Sequence, residues 1–226
     1  MSNKGNSRHL KRLAASAYAG THRKEAKYLL KPRPGRHSVE QSITLASLIR
    51  DKIAYAKTLK EAESVIKKGN IELNGKIVKD EKQAVGFGDL VHIVPTNEYF
   101  AIGVNRQGAI SVSKASSDAK RIAKIVGKYV TKHKKIMLRL HDGTVVAAPD
   151  GAKVNDSVVL AEGKVERLVK FEPGVQCVVY KGRHTGEMGK LKSIKPGTAQ
   201  SKATVELEAK SGTIQTLAEN IIAVGA

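Results

Sequence analysis

Turn signals recur at short intervals along most of this 226-residue chain. Each one supplies residues that tolerate the positive backbone angles of a tight turn, and the apolar runs between them have the length of strands. They are the pairs Asn74-Gly75, Asp142-Gly143, Asp150-Gly151 and Glu162-Gly163. Strands this short assemble into small sheets, so the sequence predicts several small domains in a multidomain α+β chain.

Two helices and a hairpin are predicted in the first half of the chain. Apolar residues recur at helical spacing from Leu45 to Ile53, which predicts the first helix. Thr58, followed three residues later by Glu61, forms a capping box at the start of a second helix, and Gly69 ends that helix. Asn74-Gly75 then turns a β-hairpin.

The next region is predicted to be strand-rich with one helix. Ser117 or Asp118 caps that helix, and its apolar residues recur at helical spacing. They are Ile122, Ile125, Val126 and Tyr129, with Lys120, Arg121, Lys124 and Lys128 elsewhere on the helix. We expect the apolar face to cover the neighbouring strands, because isolated strands need such a cover.

Composition and turn spacing divide the chain into four segments. Residues 1–40 form a basic, extended N-terminal arm, and residues 41–95 form the domain with two helices and a hairpin, closed by Pro95. Residues 96–168 form the central strand-rich domain. Residues 169–226 form a small β-barrel, predicted from evenly spaced glycines. These glycines are Gly174, Gly182, Gly186 and Gly189.

Positive charge dominates the composition, with 40 Lys and Arg against 21 Asp and Glu and a formal net charge of +19. Such a surplus indicates a polyanionic partner rather than a merely soluble basic protein. A membrane surface is the weaker choice, because no run approaches the roughly 20 apolar residues of a span. Nucleic acid is therefore predicted.

The N-terminal arm is the most basic segment. Its cations, which include Lys4 and Lys27, outnumber Glu25 and Glu40, and prolines and a glycine interrupt any regular element. A segment of this composition cannot fold alone and orders on nucleic acid, where its cations release counterions. The alternative is a solvated tail without a target.

Neither a cofactor nor a metal is expected. Cys177 is the only cysteine, so it cannot form an internal disulfide and is predicted to be a small core residue. The seven histidines show no metal-ligand spacing and are predicted to lie on the surface or to face RNA. The first residues lack the apolar core of a signal peptide, so we expect the protein to stay where it is made.

Residues 42–94 resemble the small RNA-binding fold first described in bacterial ribosomal protein four. The matching residues are Thr58, Ala62, Ile66, Gly69, Ile71, Leu73, Asn74, Gly75, Lys76, Gly88 and Asp89. The resemblance implies a compact scaffold whose lysines reach phosphates. Bacterial relatives often carry an arginine where Leu59 stands, and Lys60 is the candidate to replace it.

The C-terminal glycines, with Val178 and Leu191, look like the short KOW motif of ribosomal and transcription-elongation proteins. That motif folds as an SH3-like barrel. In that family the loop corresponding to Lys181, Gly182, Arg183 and His184 approaches RNA or a neighbouring protein, and glycine permits a close backbone approach there.

The order of these parts is similar from end to end to the S4e family, the small-subunit ribosomal protein four of archaea and eukaryotes. The resemblance implies a structural protein of the small ribosomal subunit in the cytoplasm, with small-subunit rRNA and neighbouring ribosomal proteins as partners. It implies no membrane and no small-molecule substrate. The short C-terminal end favours the archaeal branch. The predicted RNA-binding residues are Arg8, His9, Lys11, Arg12, Arg23, Lys24, Lys31, Arg33, Arg36, Lys57, Lys60, Lys67, Lys68, Lys76, Lys181 and Arg183.

Two other functions fit the sequence less well. Pseudouridine synthases share the two-helix fold but need an aspartate directly after Arg-Leu, and His141 separates Asp142 from Arg139-Leu140 here. The sequence therefore predicts that the protein is not an enzyme. A free RNA-binding or transcription-elongation factor would carry a similar barrel but would not need a forty-residue basic arm.

Overall fold

The structure is a computed structural model, and it describes Ser7 and residues 9–117, 119–161, 163–198, 200–209 and 211–225. These residues form two compact units. The first contains the described residues up to Ile102 and Ala109–Lys114, and the second contains Gly103–Gly108 and the described residues from Ala115 onward. Lys4, the predicted RNA contact Arg8, the predicted cap Asp118 and the predicted turn residue Glu162 lie outside the described residues.

Two α-helices of the first unit form where the sequence predicts them. Helix α1 spans Leu45–Asp51 and helix α2 spans Leu59–Lys67. Thr58 Oγ1 accepts a hydrogen bond from the Glu61 amide at 3.3 Å, and the Glu61 carboxylate accepts one from the Thr58 amide at 3.1 Å. Hydrogen bonds from the Thr58 and Lys57 amides lower the pKa of Glu61. The predicted capping box is therefore present.

Short strands surround these helices. In chain order they are β1 (Leu10–Lys11), β2 (Tyr28–Leu29), β3 (Ser42–Thr44), β4 (Ile71–Leu73), β5 (Lys76–Ile77), β6 (Ala84–Gly86), β7 (Leu90–Ile93), β8 (Glu98–Val104) and β9 (Ile110–Ala115). β1 pairs with β2 and β3 with β6, while the others form one sheet in the order β5-β4-β7-β8-β9. Ile71 lies opposite Ile93 and Leu73 opposite Val91, and all four side chains are buried.

This sheet continues past Pro95, where the sequence places a domain boundary. Residues 94–96 form a short 3-10 turn that ends at Asn97, which adopts a left-handed conformation with φ of 51°. The turn reverses the chain, so that β8 pairs with β7, and Leu90 lies opposite Ala101. The first compact unit therefore contains strand residues on both sides of Pro95.

The described part of the N-terminal segment is folded, so the prediction of an extended arm is wrong there. Apolar residues of this segment, including Tyr18 and Ala19, are buried in the core. The His37 side chain is only 4% exposed, with its Nε2 2.7 Å from Asp89 Oδ2, and this corrects its prediction as a surface or RNA-facing residue. An ideal Cβ on Gly86 would lie 2.6 Å from His37 Nδ1, so the close approach of this ring requires glycine.

The second unit contains two further sheets. Its strands are β10 (Arg121–Val130), β11 (Ile136–Leu140), β12 (Val145–Ala147), β13 (Ser157–Ala161), β14 (Lys164–Val169), β15 (Gln176–Val179), β16 (Met188–Lys195), β17 (Thr204–Ala209), β18 (Gly212–Leu217) and β19 (Ile221–Ala223). The central sheet has the order β12-β11-β10-β13-β14, and the C-terminal sheet has the order β18-β17-β16-β15-β19. Cys177 is buried in the C-terminal core, as predicted.

The predicted helix after residue 117 is wrong, because Arg121–Val130 is strand β10. β10 pairs with β13 through Arg121–Lys124 and with β11 from Ile125 onward. Ala123 and Ile125 alternate into the core of the central sheet. The helical spacing of apolar residues was coincidental, since β-branched residues in this stretch favour a strand once partner strands are present.

Two polar contacts join the central and C-terminal sheets within the second unit. The Lys124 ammonium group donates a hydrogen bond to the Ala218 carbonyl oxygen, and the Ala223 amide donates one to Ser157 Oγ at 3.1 Å. Lys124 lies on the face of β10 opposite to Ala123 and Ile125 and is buried. Burial lowers its pKa to about 8. The ammonium group of Lys124 therefore makes a structural contact within the second unit.

We expect Thr58→Ala to lower the free energy of unfolding by about 1 kcal/mol, because the first turn of α2 loses its side-chain cap. Ser64→Ala is the matched control, since Ser64 is an exposed residue of the same helix. Chemical denaturation of both variants measures the difference. Equal unfolding free energies for the two variants would contradict the role of the capping box.

Candidate nucleic-acid interface

Helix α2 presents a basic face to solvent. Ala62 and Ile66 point into the core of the first unit, which leaves the opposite side of the helix exposed. An open, shallow groove of about 450 Å³ follows this side. It is lined by Lys60, Glu63, Ser64, Lys67 and Lys68. Residues three and four positions apart lie on one helical face, so the amphipathic pattern that buries α2 also brings these lysines together.

One acidic side chain lies within this groove. Glu63 Oε1 is 2.5 Å from Lys67 Nζ, four residues further along the helix. The hydrogen bond from Lys67 lowers the pKa of Glu63, and the same bond raises the pKa of Lys67. Both groups therefore stay charged at neutral pH, and Lys67 shares its charge with Glu63. Lys60 and Lys68 have no carboxylate partner among the described residues.

The β4–β5 hairpin adjoins the end of α2. Gly69, which follows the helix with φ of +80°, lies so close to the return strand that an ideal Cβ would be 3.3 Å from Ile77 Cγ2 and 3.7 Å from Lys79 Cε. Asn74 holds the hairpin turn, because its Nδ2 donates to Asp89 Oδ1 at 2.8 Å. Lys76 is exposed beside that turn. The helix end and the hairpin therefore form a continuous basic region of the first unit.

Three predicted RNA contacts of the N-terminal segment have partners within the protein. The Arg12 side chain is only 7% exposed and pairs with Glu25 at 3.0 Å. Lys31 Nζ donates to the Ser7 carbonyl oxygen at 2.5 Å, and Arg33 pairs with Asp80 at 2.8 Å. The Arg33 side chain stays 64% exposed in spite of this pair. Arg12, in contrast, is too buried to meet a phosphate.

The other predicted contacts among the described residues lie at the surface, as Arg33 also does. Exposed residues are His9, Lys11, Arg23, Lys24, Lys57, Lys60, Lys67, Lys68, Lys76, Lys181 and Arg183, and Arg36 is partly exposed. The His9 ring lies edge-on to Tyr28, with ring centroids 5.6 Å apart, and Lys27 Nζ lies 5.5 Å from the centroid of the same ring. The described N-terminal segment therefore offers cations beside an exposed aromatic ring.

The C-terminal glycine loop packs within its own unit. An ideal Cβ on Gly186 would lie 2.6 Å from the backbone carbon of Asn105, so only glycine fits this approach. Thr185 is buried, and its Oγ1 donates to the Gly182 carbonyl oxygen at 2.5 Å. Lys181 and Arg183 remain exposed at the start of the loop. The glycines support the packing of the loop, and the cations are left at the surface.

Asp142, the nearest match to a catalytic aspartate, has a structural role. It is fully buried, it pairs with Arg121, and Thr144 Oγ1 donates a hydrogen bond to it at 2.7 Å. Burial alone would raise its pKa, but Arg121 and Thr144 outweigh burial and lower it. Gly143 turns the chain after it with φ of 85°, which confirms the predicted hairpin turn.

The exposed lysines at residues 132, 134 and 135 are missing from the predicted RNA contacts. The helix predicted for the preceding stretch gives no indication of the turn that carries these lysines. A signal was available, since no Asp or Glu occurs from Ala119 to His141. Such an acid-free stretch predicts an unneutralised basic surface whatever its secondary structure.

Several small modules thus carry exposed cations. The described residues contain no group of three or more His, Cys, Asp or Glu side chains placed to hold a metal ion. None of the described helices has the length and apolar character needed to span a bilayer. The small modules and their basic surfaces are those of a protein that binds a polyanion such as nucleic acid.

Comparisons with known proteins identify the family. Residues 96–165 match the model described as Ribosomal family S4e, residues 51–91 match the S4 domain, and residues 4–40 match the RS4NT (NUC023) domain. The chain is 32% identical over 219 residues to the small ribosomal subunit protein eS4 of Methanocella arvoryzae, covering 96% of this chain and 94% of that protein. It is 34% identical over 236 aligned residues to the eS4 protein of Ignicoccus hospitalis, covering 98% and 92%.

A solved structure agrees with these matches. The crystal structure of the 30S ribosomal protein S4e from Thermoplasma acidophilum superimposes with a TM-score of 0.71 at 26% sequence identity, covering 82% of this chain and 96% of that chain. The chain belongs to the ribosomal protein S4e family, a family of structural proteins and not of enzymes. The family predicted from the sequence is confirmed.

We expect Asp142→Ala to lower the free energy of unfolding by about 3–5 kcal/mol, because it leaves the Arg121 guanidinium buried without its charged partner. Asp150→Ala is the control, since Asp150 is an exposed residue before a glycine in the next turn. Thermal or chemical denaturation measures both changes. A similar small loss in the two variants would show that the buried pair contributes little.

Proposed function

We propose that this protein is a structural constituent of the small ribosomal subunit, in the cytoplasm, where it binds small-subunit rRNA and contacts neighbouring ribosomal proteins. Its membership of the S4e family carries this proposal, because the relatives are named as proteins of that subunit. The net charge of +19 fits a polyanionic partner. The protein acts as a brace, holding rRNA segments against rigid small modules.

The exposed cations are the proposed contacts with rRNA phosphates. In the first unit these are the lysines of α2 and the β4–β5 hairpin with the cations of the N-terminal segment, and in the second unit they are the cations of the glycine loop. Among the described residues they comprise His9, Lys11, Arg23, Lys24, Lys57, Lys60, Lys67, Lys68, Lys76, Lys181 and Arg183, with the partly exposed Arg36. Arg8, which lies outside the described residues, is proposed as a contact from the sequence alone. Contacts to phosphate position a protein on RNA without reading its sequence.

The C-terminal sheet is proposed to be an SH3-like barrel that carries a KOW motif. β15 pairs with β16 on one side and with β19 on the other, which brings the two ends of this segment together. Gly174, Gly182 and Gly186 have positive φ values at its turns. These features support the curled strand arrangement and the glycine-dependent loop of that fold.

The test of the function is sedimentation of a cell lysate, followed by a high-salt wash of the ribosomal subunits. A constitutive component is expected to migrate with the small subunit and to stay there at salt concentrations that remove loosely bound factors. Recovery of the protein mainly in the unbound fraction would favour the alternative of a free RNA-binding or elongation factor.

The role of α2 can be tested with the double variant Lys60→Gln, Lys68→Gln. Each cation that contacts a phosphate contributes about 0.7–0.9 to the slope of log affinity against log salt concentration, so we expect this slope to decrease by about 1.5. The control is Lys114→Gln with Lys120→Gln, which removes two lysines paired with Glu98 and Glu166. An unchanged slope for the α2 variant would exclude the groove from the interface.

A further inference from the structure

The outer ends of β10 and β11 extend beyond the pairing of β10 with β13. β13 pairs with β10 only from Arg121 to Lys124, whereas β11 follows β10 as far as Val130, which lies opposite Ile136. A register shift between Ile125 and Gly127 interrupts the ladder at this point. A bulge of this kind bends and twists a strand pair. We call residues 126–139 the basic ribbon.

The basic ribbon carries concentrated positive charge. Its cations and the histidine of its turn are Lys128, Lys132, His133, Lys134, Lys135 and Arg139, all of them exposed. No acidic residue occurs from Ala119 to His141. In the described part of the chain, Lys132, Lys134 and Lys135 have no carboxylate partner. The charge at the turn is therefore not neutralised within the described residues.

Hydrogen bonds hold the turn of the basic ribbon in one conformation. The Thr131 amide donates to the Lys135 carbonyl oxygen at 2.9 Å, and the Lys134 amide donates to the Thr131 carbonyl oxygen at 2.9 Å. Thr131 Oγ1 adds a bond to the same Lys135 oxygen at 3.1 Å. Since the backbone is already ordered, binding at this turn costs mainly side-chain entropy.

One face of the ribbon combines an aromatic ring with a guanidinium group. Tyr129 lies opposite Met137 and Gly127 opposite Arg139, so these side chains share a face. The Arg139 side chain lies over Gly127, where an ideal Cβ would be 3.7 Å from both Nε and Nη2. Tyr129 is 46% exposed. Planar aromatic and guanidinium groups are the surfaces on which RNA bases stack.

We propose that the basic ribbon is a further rRNA-binding element, in which the turn lysines contact backbone phosphates of folded RNA and Tyr129 and Arg139 pack against an adjoining nucleotide. This inference rests on the proposed function and adds to it a site in the second unit. RNA is the favoured occupant because several unneutralised lysines within a few residues require closely spaced negative charges, which a phosphate backbone supplies. A neighbouring ribosomal protein is the other occupant that the test must separate.

The test compares two triple variants of the full chain that lose the same charge. The first is Lys132→Gln, Lys134→Gln, Lys135→Gln. The control is Lys192→Gln, Lys195→Gln, Lys202→Gln, which removes lysines paired with Glu208, Glu206 and Glu219. The readout is the affinity for small-subunit rRNA over a range of salt concentrations, and thermal unfolding checks that both variants are folded.

We expect the ribbon variant to decrease the log–log slope by about 2–3, at about 0.7–0.9 for each lost phosphate contact, and the control variant to leave the slope nearly unchanged. Tyr129→Ala is expected to weaken binding about fivefold or more with little change in slope, because stacking is insensitive to salt. Equal slopes for the two triple variants would overturn the phosphate contacts, and unchanged affinity of Tyr129→Ala would overturn the packing role.

Two outcomes of these measurements show which part of the proposal fails. If the wild-type protein still binds rRNA with a steep salt dependence while the ribbon variant matches it, the proposed function stands and only the ribbon site fails. If the ribbon variant keeps its rRNA affinity but is no longer incorporated into reconstituted small subunits, the ribbon binds a neighbouring protein, which contradicts the RNA assignment.

Discussion

β10 pairs with β11 on one side and with β13 on the other, and the second unit depends on this double pairing. The strand directs Ala123 and Ile125 into the core of the central sheet and Lys124 toward the C-terminal sheet, where its ammonium group meets the Ala218 carbonyl oxygen. A buried ammonium group is costly unless it is hydrogen-bonded, so this contact favours one arrangement of the two sheets. The outer end of the same strand forms the basic ribbon.

The cations of this protein serve two different purposes. Arg12, Lys124 and Arg121 are buried, and each binds a carboxylate or a carbonyl oxygen within its own compact unit. The exposed lysines of α2 and of the basic ribbon are held on rigid elements. Positive charge contributes to the fold where it is buried and partnered, and it is available to RNA phosphates where it is exposed and unneutralised.

Glycine also has two roles that depend on its surroundings. At Gly86 and Gly186 it permits a close approach, to the His37 ring and to the Asn105 backbone respectively. At Gly75 and Gly143 it provides the positive φ of a hairpin turn. The first role joins distant segments of one unit, while the second is local. The described N-terminal segment depends on the first role, because His37 reaches Asp89 beneath Gly86.

The sequence by itself determined the features that depend on neighbouring residues. Local spacing predicts the capping box of Thr58 and Glu61, the two helices of the first unit and the hairpin turns at Asn74-Gly75 and Asp142-Gly143. Total charge predicts the polyanionic partner, and the family resemblance added the order of the parts. The predicted hairpin turn at Asp150-Gly151 is wrong, because β12 and β13 on either side of it do not pair. Only the tertiary structure decided that Arg121–Val130 is a strand, that the sheet continues past Pro95 and that Arg12 is buried. Those outcomes depend on partners distant in the chain, such as Leu160 opposite Arg121, and no local pattern encodes such pairings.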